Sequence, residues 1–335
     1  MSKLLSICIP SYNMEQYLHR CVDSMLVDEV LEQLEIIIVN DGSKDSTLAI
    51  ANDYKQRYPQ SVVVIDKPNG HYGSCINASL KIATGKYFRI VDADDWVDSQ
   101  ALLQFVRKLN DLDVDCVCTR YTECRAGVGN NVISLNGVPA NVVLDLNEFT
   151  VPECCHKMHS LTYATDLLRR IGYRQTEGIC YTDTEYVYFP LSCARSFYFI
   201  EISLYQYFLG RDDQSMAPAV LLKNNDQYIK IVNSIQSFHN GEHPFNGNEK
   251  HIWSCMLGSV LEMSVPYYVL FLDYNKTKEQ LFRSAMKELR QQGLMHYHDV
   301  WSPNVLRVVN LWYSTGGLSR LWLLPIKYLK RKQLQ

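Results

Sequence analysis

Three aspartates fall within four positions of the chain, at Asp92, Asp94 and Asp95. They come directly after the apolar run 86–91, and an apolar run followed at once by acids is typical of a buried strand that ends in a charged loop. Carboxylate oxygens are the ligands that hard divalent cations prefer, and a cation held at a strand end can bind a diphosphate. The alternative is a solvated acidic turn in front of a helix.

Polar groups that suit a nucleotide follow two other predicted strands. Pro10, Tyr12 and Asn13 stand after the first strand, and Asp41 stands after the second, before Gly42. Taken alone, Tyr12 reads as a loop aromatic and Asp41 as a turn former. Ligands of parallel α/β sheets bind beyond the carboxyl ends of the strands, so three strand ends of this kind together predict a nucleotide site.

The elements that must position these groups alternate between strand and helix over the first hundred residues. Apolar runs predict strands at 5–9, 35–39, 62–65 and 87–91. Helical patterns with end signals predict helices at 46–58, 74–83 and 99–109. A further helix is predicted after Asn13, which would cap it with Gln16 as the capping-box partner. Apolar strands separated by helices indicate a mostly parallel, Rossmann-like α/β sheet with helices on both faces.

The pattern is less regular further along the chain. Residues 120–146 predict loops or short strands, and the aromatic-rich segments 178–190 and 197–209 are assigned to the first domain. Long helical stretches follow, so we expect one domain over 1–216 and a mainly helical region over 217–335.

Composition narrows the class of protein. The chain has 335 residues, 47% of them hydrophobic, and a net charge of −3. A chain of this length is expected to form about two folded domains, and the absence of a global basic field argues against nucleic acid as a partner. Eleven scattered cysteines favour free thiols in a reducing cytoplasm over a disulfide framework, and the N-terminus does not read as a signal peptide.

Five short stretches, in this order and spacing, resemble the motifs of family 2 glycosyltransferases with the GT-A fold, of the kind that build bacterial polysaccharides and glycoconjugates. The stretches are 6–13, 38–43, 69–74, 83–87 and 91–96. The resemblance is dense over 4–98 and sparser to about 216. It implies that 1–98 is the half that binds a nucleotide sugar and that 99–216 is the acceptor-side half.

The resemblance implies roles at the donor pocket. Pro10 to Asn13 would line the pocket for base and ribose, and Asp41 would accept a hydrogen bond from uracil or ribose. Asn69 and Gly70 lie in a loop whose backbone N–H groups would approach phosphate or sugar. Many relatives carry an arginine where this chain has Ile76, so that contact is absent or replaced. Three side chains could replace it: Lys67, His71 and Arg89.

The resemblance also implies a metal site at the aspartates. Asp92 and Asp94 would bind Mn²⁺ or Mg²⁺, with Asp94 as the direct ligand and Asp92 beside the ribose and the metal. Asp95 would support the loop or face the sugar. The cation would neutralise the charge that builds on the departing nucleoside diphosphate.

A catalytic base is still needed to activate the acceptor hydroxyl, and Asp183 is the candidate that the resemblance implies. Relatives place two acids, or a near variant, at this helix start, and here Thr182 stands in place of the first. Glu185 is the rival base. The alternative for Asp183 is that it only caps the helix beginning near Thr184.

Arg211 and Ser215 lie in a polar segment that resembles the mobile segment after the base in the family. Arg211 would clamp the diphosphate, and Ser215 together with Gln214 would close over the donor. The alternative is an ordinary interdomain loop.

The function expected from these residues is that of an inverting, metal-dependent glycosyltransferase with one carboxylate base. It would move a sugar from a UDP-sugar to a saccharide or lipid-linked saccharide acceptor. Two alternatives remain at this stage, namely a catalytically inactive relative that binds nucleotide sugars and a nucleotidyltransferase.

Two segments bear on membranes. The apolar segment 253–272 contains Glu262 and Pro266, so we expect a buried helix pair broken near Pro266 and no spanning helix. The tail 301–335 mixes tryptophans and leucines with basic residues, which suits either a helix on an anionic membrane surface or a core helix with a basic end. We therefore expect a cytoplasmic protein that can bind peripherally to the inner face of the cell membrane.

A cluster of cysteines and histidines raises the question of zinc. The residues are Cys116, Cys118, Cys154, Cys155, His156 and His159. Their spacings fit no standard zinc template, so buried thiols and surface histidines are the better interpretation.

Overall fold

The computed structural model describes residues 3–125, 127, 129–209, 220, 223–271, 275–291 and 303–315. The chain divides into two compact units, the first formed by Met1–Gly210 with Glu242–Ile252 and the second by Arg211–Gly241 with Trp253–Gln335. The domain boundary predicted after residue 216 falls among residues that the structure does not describe, and it stays a prediction.

A single sheet organises the first unit. Its strands are β1 (Leu5–Ser11), β2 (Leu34–Asp41), β3 (Val62–Lys67), β4 (Tyr87–Ile90), β5 (Trp96–Val97), β6 (Cys116–Arg125), β7 (Gly129–Val132), β8 (Val143–Asp145), β9 (Leu161–Ala164) and β10 (Ser196–Leu209). They are ordered β3-β2-β1-β4-β9-β6-β10-β5, with β7 beside β6 and β8 beside β10. The four strands from β3 to β4 are parallel, as are β6 and β10, whereas β9 and β5 pair antiparallel with their neighbours.

Six helices of the first unit connect and cover these strands. They are α1 (Leu18–Asp23), α2 (Thr47–Arg57), α3 (His71–Ile82), α4 (Ser99–Leu109), α5 (Thr165–Arg170) and α6 (Asp183–Cys193). Short 3₁₀ turns lie at Leu31–Gln33, Glu153–Cys155 and Met158–Ser160. The predicted α/β class with a mostly parallel sheet is confirmed. Buried side chains such as Ile7, Ile36 and Phe105 form a core against the sheet.

One predicted element start is wrong. Asn13 does not cap a helix, because α1 begins at Leu18 after Tyr17, and Asn13 has a left-handed backbone with φ 54°. Its side chain instead accepts the N–H of Lys44 at 2.8 Å, while its own N–H donates to Ser43 Oγ at 3.0 Å. Asn13 therefore joins the loop after β1 to the loop after β2.

The long strands β6 and β10 are the largest departure from the sequence prediction. Residues 120–146 were expected to hold loops or short strands, and β7 and β8 there are short, but residues 120–125 complete the 10-residue β6, which pairs along the 14-residue β10. The pairing of β6 with β10 joins residues about 80 positions apart, so local periodicity does not reveal it.

The second unit is helical in the part that the structure describes. Its helices are α7 (Gln227–His239), α8 (Glu249–Phe271), α9 (Lys276–Gln291) and α10 (Pro303–Ser314), and the first turn of α8 belongs to the first unit. The predicted break near Pro266 is wrong, since α8 continues through this residue. Among the described residues, no helix has both the length and the apolar character that crossing a bilayer requires.

Candidate active site

The three aspartates lie in the loop between β4 and β5, and they face different surroundings. Asp95 is only 1% exposed, and its two carboxylate oxygens accept from the Tyr205 hydroxyl at 2.5 Å and the Phe208 N–H at 2.7 Å. Burial, and then the charges of Asp94 and Asp92, raise the pKa of Asp95 well above its usual range. Asp92 and Asp94 are half-buried. Asp95 thus fastens the loop to β10, and the other two carboxylates lie nearer the solvent.

Tyr72 and Arg20 hold the same loop from its other sides. The Tyr72 hydroxyl donates to Asp92 Oδ1 at 2.8 Å, and the Asp92 N–H donates to the Tyr205 hydroxyl at 3.2 Å. The Arg20 guanidinium donates to the Asp94 carbonyl at 2.7 Å and stacks 4.0 Å above the Trp96 ring. These contacts restrict the directions in which the two half-buried carboxylates can point.

His159 was expected on the surface with the other histidines, and this expectation is wrong. Its imidazole stacks on Tyr207 with ring centroids 4.3 Å apart and lies 4.7 Å from the ring of Tyr205. Burial lowers the pKa of His159 to about 3, so the ring is neutral at physiological pH. Ligand atoms of His159, Asp92 and Asp95 lie within 4.8 Å of one another.

Asp183 is the first residue of α6, and it is accessible to solvent. Loss of hydration raises the pKa of its carboxyl, an effect that the Thr184 N–H and the charge of Lys157 oppose. The rival base Glu185 is fully buried and accepts from Thr176 N and Thr176 Oγ1, both at 2.7 Å. Glu185 therefore stabilises the loop in front of α6 and does not face solvent.

Two tyrosines connect Asp183 with the aspartate loop. Burial first, and then the charges of Asp92 and Asp183, raise the pKa of Tyr72. Tyr207 is half-buried; this partial burial first, and then the charges of Asp95, Asp92, Asp94 and Asp183, raise its pKa. The charges of the candidate base and of the three aspartates therefore act on the same hydroxyl.

The predicted base pocket lies at the ends of β1 and β2. Asp41 is the last residue of β2 and is 3% exposed, whereas Tyr12 follows β1 and is 46% exposed. Pro10 and Ser11 are the last two residues of β1, in register with Val39 and Asn40. The exposed ring of Tyr12 can serve as one wall of a pocket at this edge of the sheet.

The loop 68–70 is turned towards Asp41. The Asn69 side-chain amide donates to the Asp41 carbonyl at 2.9 Å, and the Gly70 N–H donates to Asp41 Oδ1 at 2.9 Å. Gly42 has φ 73°, and a Cβ there would lie 2.9 Å from the Asn69 backbone nitrogen. These contacts occupy the Asn69 amide and the Gly70 N–H within the protein itself.

Three non-glycine residues near the predicted base pocket and near Asp183 have a left-handed backbone conformation. Asn13, His71 and Tyr181 have φ of 54°, 63° and 65°, and they stand after β1, at the start of α3 and in front of α6. Such conformations cost free energy and concentrate at functional sites.

Asn77 and Gly73 fasten the loop 175–177 to α3. Asn77 Nδ2 donates to the Gln175 carbonyl and to Glu177 Oε1, each at 2.9 Å, and a Cβ on Gly73 would come within 2.2 Å of the Thr176 carbonyl. This loop leads into α6, so these residues of α3 help to set the position of Asp183.

The structure brings some of the predicted site residues close to one another, and the others lie outside the residues that it describes. The charges of Asp92, Asp94 and Asp183 all act on Tyr207, and Pro10, Tyr12, Asn13, Asp41, Asn69 and Gly70 lie at the neighbouring strand ends. Arg211, Gln214 and Ser215 lie outside the described residues. Sequence reasoning missed Tyr72, His159, Tyr205 and Tyr207 as site residues. The aromatic-rich stretch 197–209 was the one signal for two of them.

Comparison with known proteins finds a family match over the first part of the chain. Residues 6–170 match the family described as Glycosyl transferase family 2. The chain carries a family 2 glycosyltransferase domain. This domain is 38% identical over 124 residues to an uncharacterized glycosyltransferase, EpsJ, of Bacillus subtilis, covering 37% of the chain and 36% of that relative.

Two further relatives match part of the chain. It is 45% identical over 105 residues to poly(ribitol-phosphate) beta-glucosyltransferase of Bacillus spizizenii, covering 30% of the chain and 16% of the relative. It is 40% identical over 117 residues to chondroitin synthase of Pasteurella multocida, covering 35% of the chain and 12% of the relative. The matched segments thus span about a third or less of these relatives' own length.

Solved structures show the same fold over most of the chain. Residues 1–349 of S. aureus TarS, solved in complex with UDP-GlcNAc, superpose with a TM-score of 0.60 at 16% identity, covering 98% of this chain and 92% of that one. The mannosyltransferase PcManGT from Pyrobaculum calidifontis, solved with GDP-Man and Mn²⁺, gives a TM-score of 0.52 at 14% identity, covering 94% and 88%. The domain therefore has the GT-A fold that the motifs implied.

Proposed function

We propose that the protein transfers a sugar from a nucleotide-sugar donor, a UDP-sugar first of all, to a saccharide or lipid-linked saccharide acceptor. The observation that carries this proposal is the convergence of Asp92, Asp94, Asp95 and Asp183 around Tyr207. These acids come from the loop after β4 and from the start of α6, and the charge of each raises the pKa of the Tyr207 hydroxyl. TarS and PcManGT, which share the fold, were solved with UDP-GlcNAc and with GDP-Man, respectively.

The spacing of the strand ends supports a nucleoside diphosphate. Asp41 ends β2 and Asp92 follows β4, and β1 lies between these two strands. Neighbouring strands are about 4.8 Å apart, so the two strand ends are about 10 Å apart. This distance suits a donor whose base lies near Asp41 and whose diphosphate lies near Asp92.

The residues at the aspartate loop fit a divalent cation. Carboxylate oxygens from Asp92 and Asp94, as the family resemblance implies, or from Asp92 and Asp95 with an imidazole nitrogen of His159, would hold it. When bound, a cation there supplies positive charge against the leaving diphosphate. The imidazole nitrogen of the second set would favour Mn²⁺ over Mg²⁺.

In the proposed reaction Asp183 takes the proton of the acceptor hydroxyl as its oxygen attacks the anomeric carbon. A single displacement with one base inverts the configuration at that carbon. The hydroxyl of Tyr72 keeps Asp92 in place during this step, and Glu185 keeps the start of α6 in place. A nucleotidyltransferase would need no such base, and the family match argues against that alternative.

A reducing compartment suits this function. All eleven cysteines are free, and eight of them are buried. We therefore keep the cytoplasm as the proposed location, with peripheral binding to the inner face of the cell membrane as the proposed route to a lipid-linked acceptor.

Titration calorimetry with UDP, UDP-sugars and GDP-sugars, with and without Mn²⁺, tests the proposal. We expect one UDP-sugar to bind more tightly with Mn²⁺ present, and we expect release of UDP when an acceptor is added. Binding of the donor without any transfer would favour the inactive relative. A protein that binds no nucleotide sugar would refute the proposed function.

A further inference from the structure

Lys67 stands opposite Asp41 in the sheet. It is the last residue of β3, and the parallel register of β2 and β3 pairs it directly with Asp41. Its ammonium group donates to Asp41 Oδ1, to the Pro68 carbonyl at 2.8 Å and to Ser74 Oγ at 2.8 Å. A lysine ammonium has three N–H donors, so these three acceptors use all of them.

The Asp41 carboxylate also has several hydrogen-bond partners within the protein. Its Oδ1 accepts from both Lys67 and the Gly70 N–H, and the Cys75 thiol also contacts the carboxylate. A carboxylate offers about four lone-pair sites, which leaves room for one more donor from a ligand. Since Asp41 is 3% exposed, the ammonium of Lys67 is what compensates the burial of its charge.

The side chains of the other two candidates for the missing arginine contact other groups. Arg89 is fully buried and donates to the His159 carbonyl and to Thr162 Oγ1. His71 starts α3, and its imidazole lies 4.0 Å from the Cys180 thiol. The fold therefore places the Lys67 ammonium beside Asp41.

We infer that Lys67 determines which nucleobase the donor carries, by holding the Asp41 carboxylate as a hydrogen-bond acceptor. This inference rests on the proposed function. An ionised carboxylate can only accept hydrogen bonds, so the base must offer a ring N–H to it. Uracil offers its N3–H, whereas cytosine presents an N3 lone pair that would face another acceptor. Lys67 is thus a positioning residue for base selection.

Removal of the ammonium changes what Asp41 can do. In Lys67→Met the buried carboxyl group has no cation beside it, which favours the neutral acid; its O–H can donate a hydrogen bond to cytosine N3, and its carbonyl oxygen can still accept one from uracil. Selectivity for uracil should then be lost even where the nucleotide still binds. A residue with a merely structural role would lower the affinity for both nucleotides alike.

Titration calorimetry of the full chain with UDP and CDP measures the effect. We expect the unaltered protein to bind UDP more tightly than CDP by about tenfold to a hundredfold, as for a hydrogen-bonding group that loses its partner. For Lys67→Met we expect the ratio of UDP affinity to CDP affinity to fall towards one. For Lys67→Arg, which keeps the positive charge, we expect most of the selectivity for UDP to remain. An unaltered ratio in Lys67→Met would overturn the inference.

A double variant keeps the test informative if Lys67→Met does not fold. Asp41→Asn with Lys67→Met removes both buried charges, and its amide can donate or accept, so UDP and CDP should bind about equally. If this variant discriminates as the unaltered protein does, the pair does not select the base. If instead the unaltered protein binds no nucleotide, the proposed function itself fails, which is a different result from the loss of the Lys67 effect.

Discussion

Asp183 and Glu185 stand two residues apart at the start of α6, and their surroundings give them different roles. Asp183 is accessible to solvent, whereas both oxygens of Glu185 are used by Thr176. A base must reach the acceptor hydroxyl, and a buried carboxylate with two bound donors cannot do so. At the scale of the residue, accessibility therefore separates the candidate base from its rival.

Substitution of these two acids should separate chemistry from stability. We expect Asp183→Asn to lower the transfer rate by about 10²–10⁴-fold while UDP binding is retained, because only the proton acceptor is lost. In Glu185→Gln we expect a lower melting temperature with a much smaller loss of transfer per folded molecule. Assays of UDP release together with calorimetry check this pair, and normal transfer by Asp183→Asn would place the base elsewhere.

The pH dependence of transfer follows from the same residue. Reduced hydration raises the pKa of Asp183, and the base works only as the carboxylate. The rate should therefore increase with pH through that raised pKa, with its midpoint above the value of about 3.9 for an ordinary aspartate. A profile of kcat/KM against pH at saturating Mn²⁺ measures the midpoint. A rate that is independent of pH down to about 4 would contradict a raised pKa at the base.

The two ligand sets at the aspartate loop can be told apart without an activity assay. If Asp94 is the direct ligand, Asp94→Ala should abolish Mn²⁺ binding in the presence of UDP, and His159→Ala should leave it nearly unchanged. If the set with Asp95 and His159 holds the ion, His159→Ala should weaken Mn²⁺ binding and reduce the preference over Mg²⁺. Electron paramagnetic resonance of Mn²⁺ measures both, and unchanged binding in both variants would exclude both sets.

At the scale of the element, α3 links the donor side of the site to its acceptor side. Its first turn contacts Lys67 through Ser74, and Asn77 in its middle holds the loop that leads to α6. A displacement of α3 would therefore move the Asp41 network and the approach to Asp183 together.

Gly73 offers a test of this link. In Gly73→Ala the new Cβ meets the Thr176 carbonyl at 2.2 Å, so the loop 175–177 must shift, and we expect a loss of stability of about 1–3 kcal/mol together with slower transfer. Gly258→Ala is the control, since a Cβ on this helical glycine meets nothing within 4 Å. Thermal unfolding and transfer assays compare the two. Equal changes in stability and in transfer rate in the two variants would show that the close contact between Gly73 and Thr176 has no influence on either.

At the scale of the whole molecule, buried histidines make stability depend on pH. Burial, and then the charge of His251, lower the pKa of His156 to about 3, from about 6.5 in an unfolded chain. The unfolded state then binds a proton first as the pH falls, so the free energy of unfolding should fall below pH 6.5, by up to about 1.4 kcal/mol per pH unit for this residue. Urea unfolding at several pH values should show a shallower dependence in His156→Phe, and parallel curves would contradict this.

Membrane binding by the basic tail can be tested without loss of α10, the helix that precedes most of it. Arg283 donates to the Tyr313 and Trp312 carbonyls at the end of α10, both at 2.7 Å, so a chain cut after residue 315 should keep this helix. Most of the tail 301–335 lies outside the described residues. If it binds anionic membranes, deletion of 316–335 should abolish flotation with anionic liposomes while donor binding is unchanged. Unchanged flotation would exclude this role for the deleted segment.

Local sequence patterns predict the parallel half of the sheet, because each apolar run and the polar residues that follow it are adjacent in the chain. The four strands from β1 to β4 agree with the predictions to within a few residues at each end, and the order of the motifs indicated the family. The three aspartates could be recognised as a group because they are adjacent in the chain.

The different roles of the three aspartates become visible only in the folded structure. Asp95 turns inwards because β10, more than 100 residues later, brings Tyr205 and Phe208 to it. His159 joins the site because β9 pairs between β4 and β6, and Lys67 meets Asp41 because of the register of β2 and β3. Burial, pairing register and long-range hydrogen bonds are properties of the folded chain, so no local pattern in the sequence could have assigned these roles.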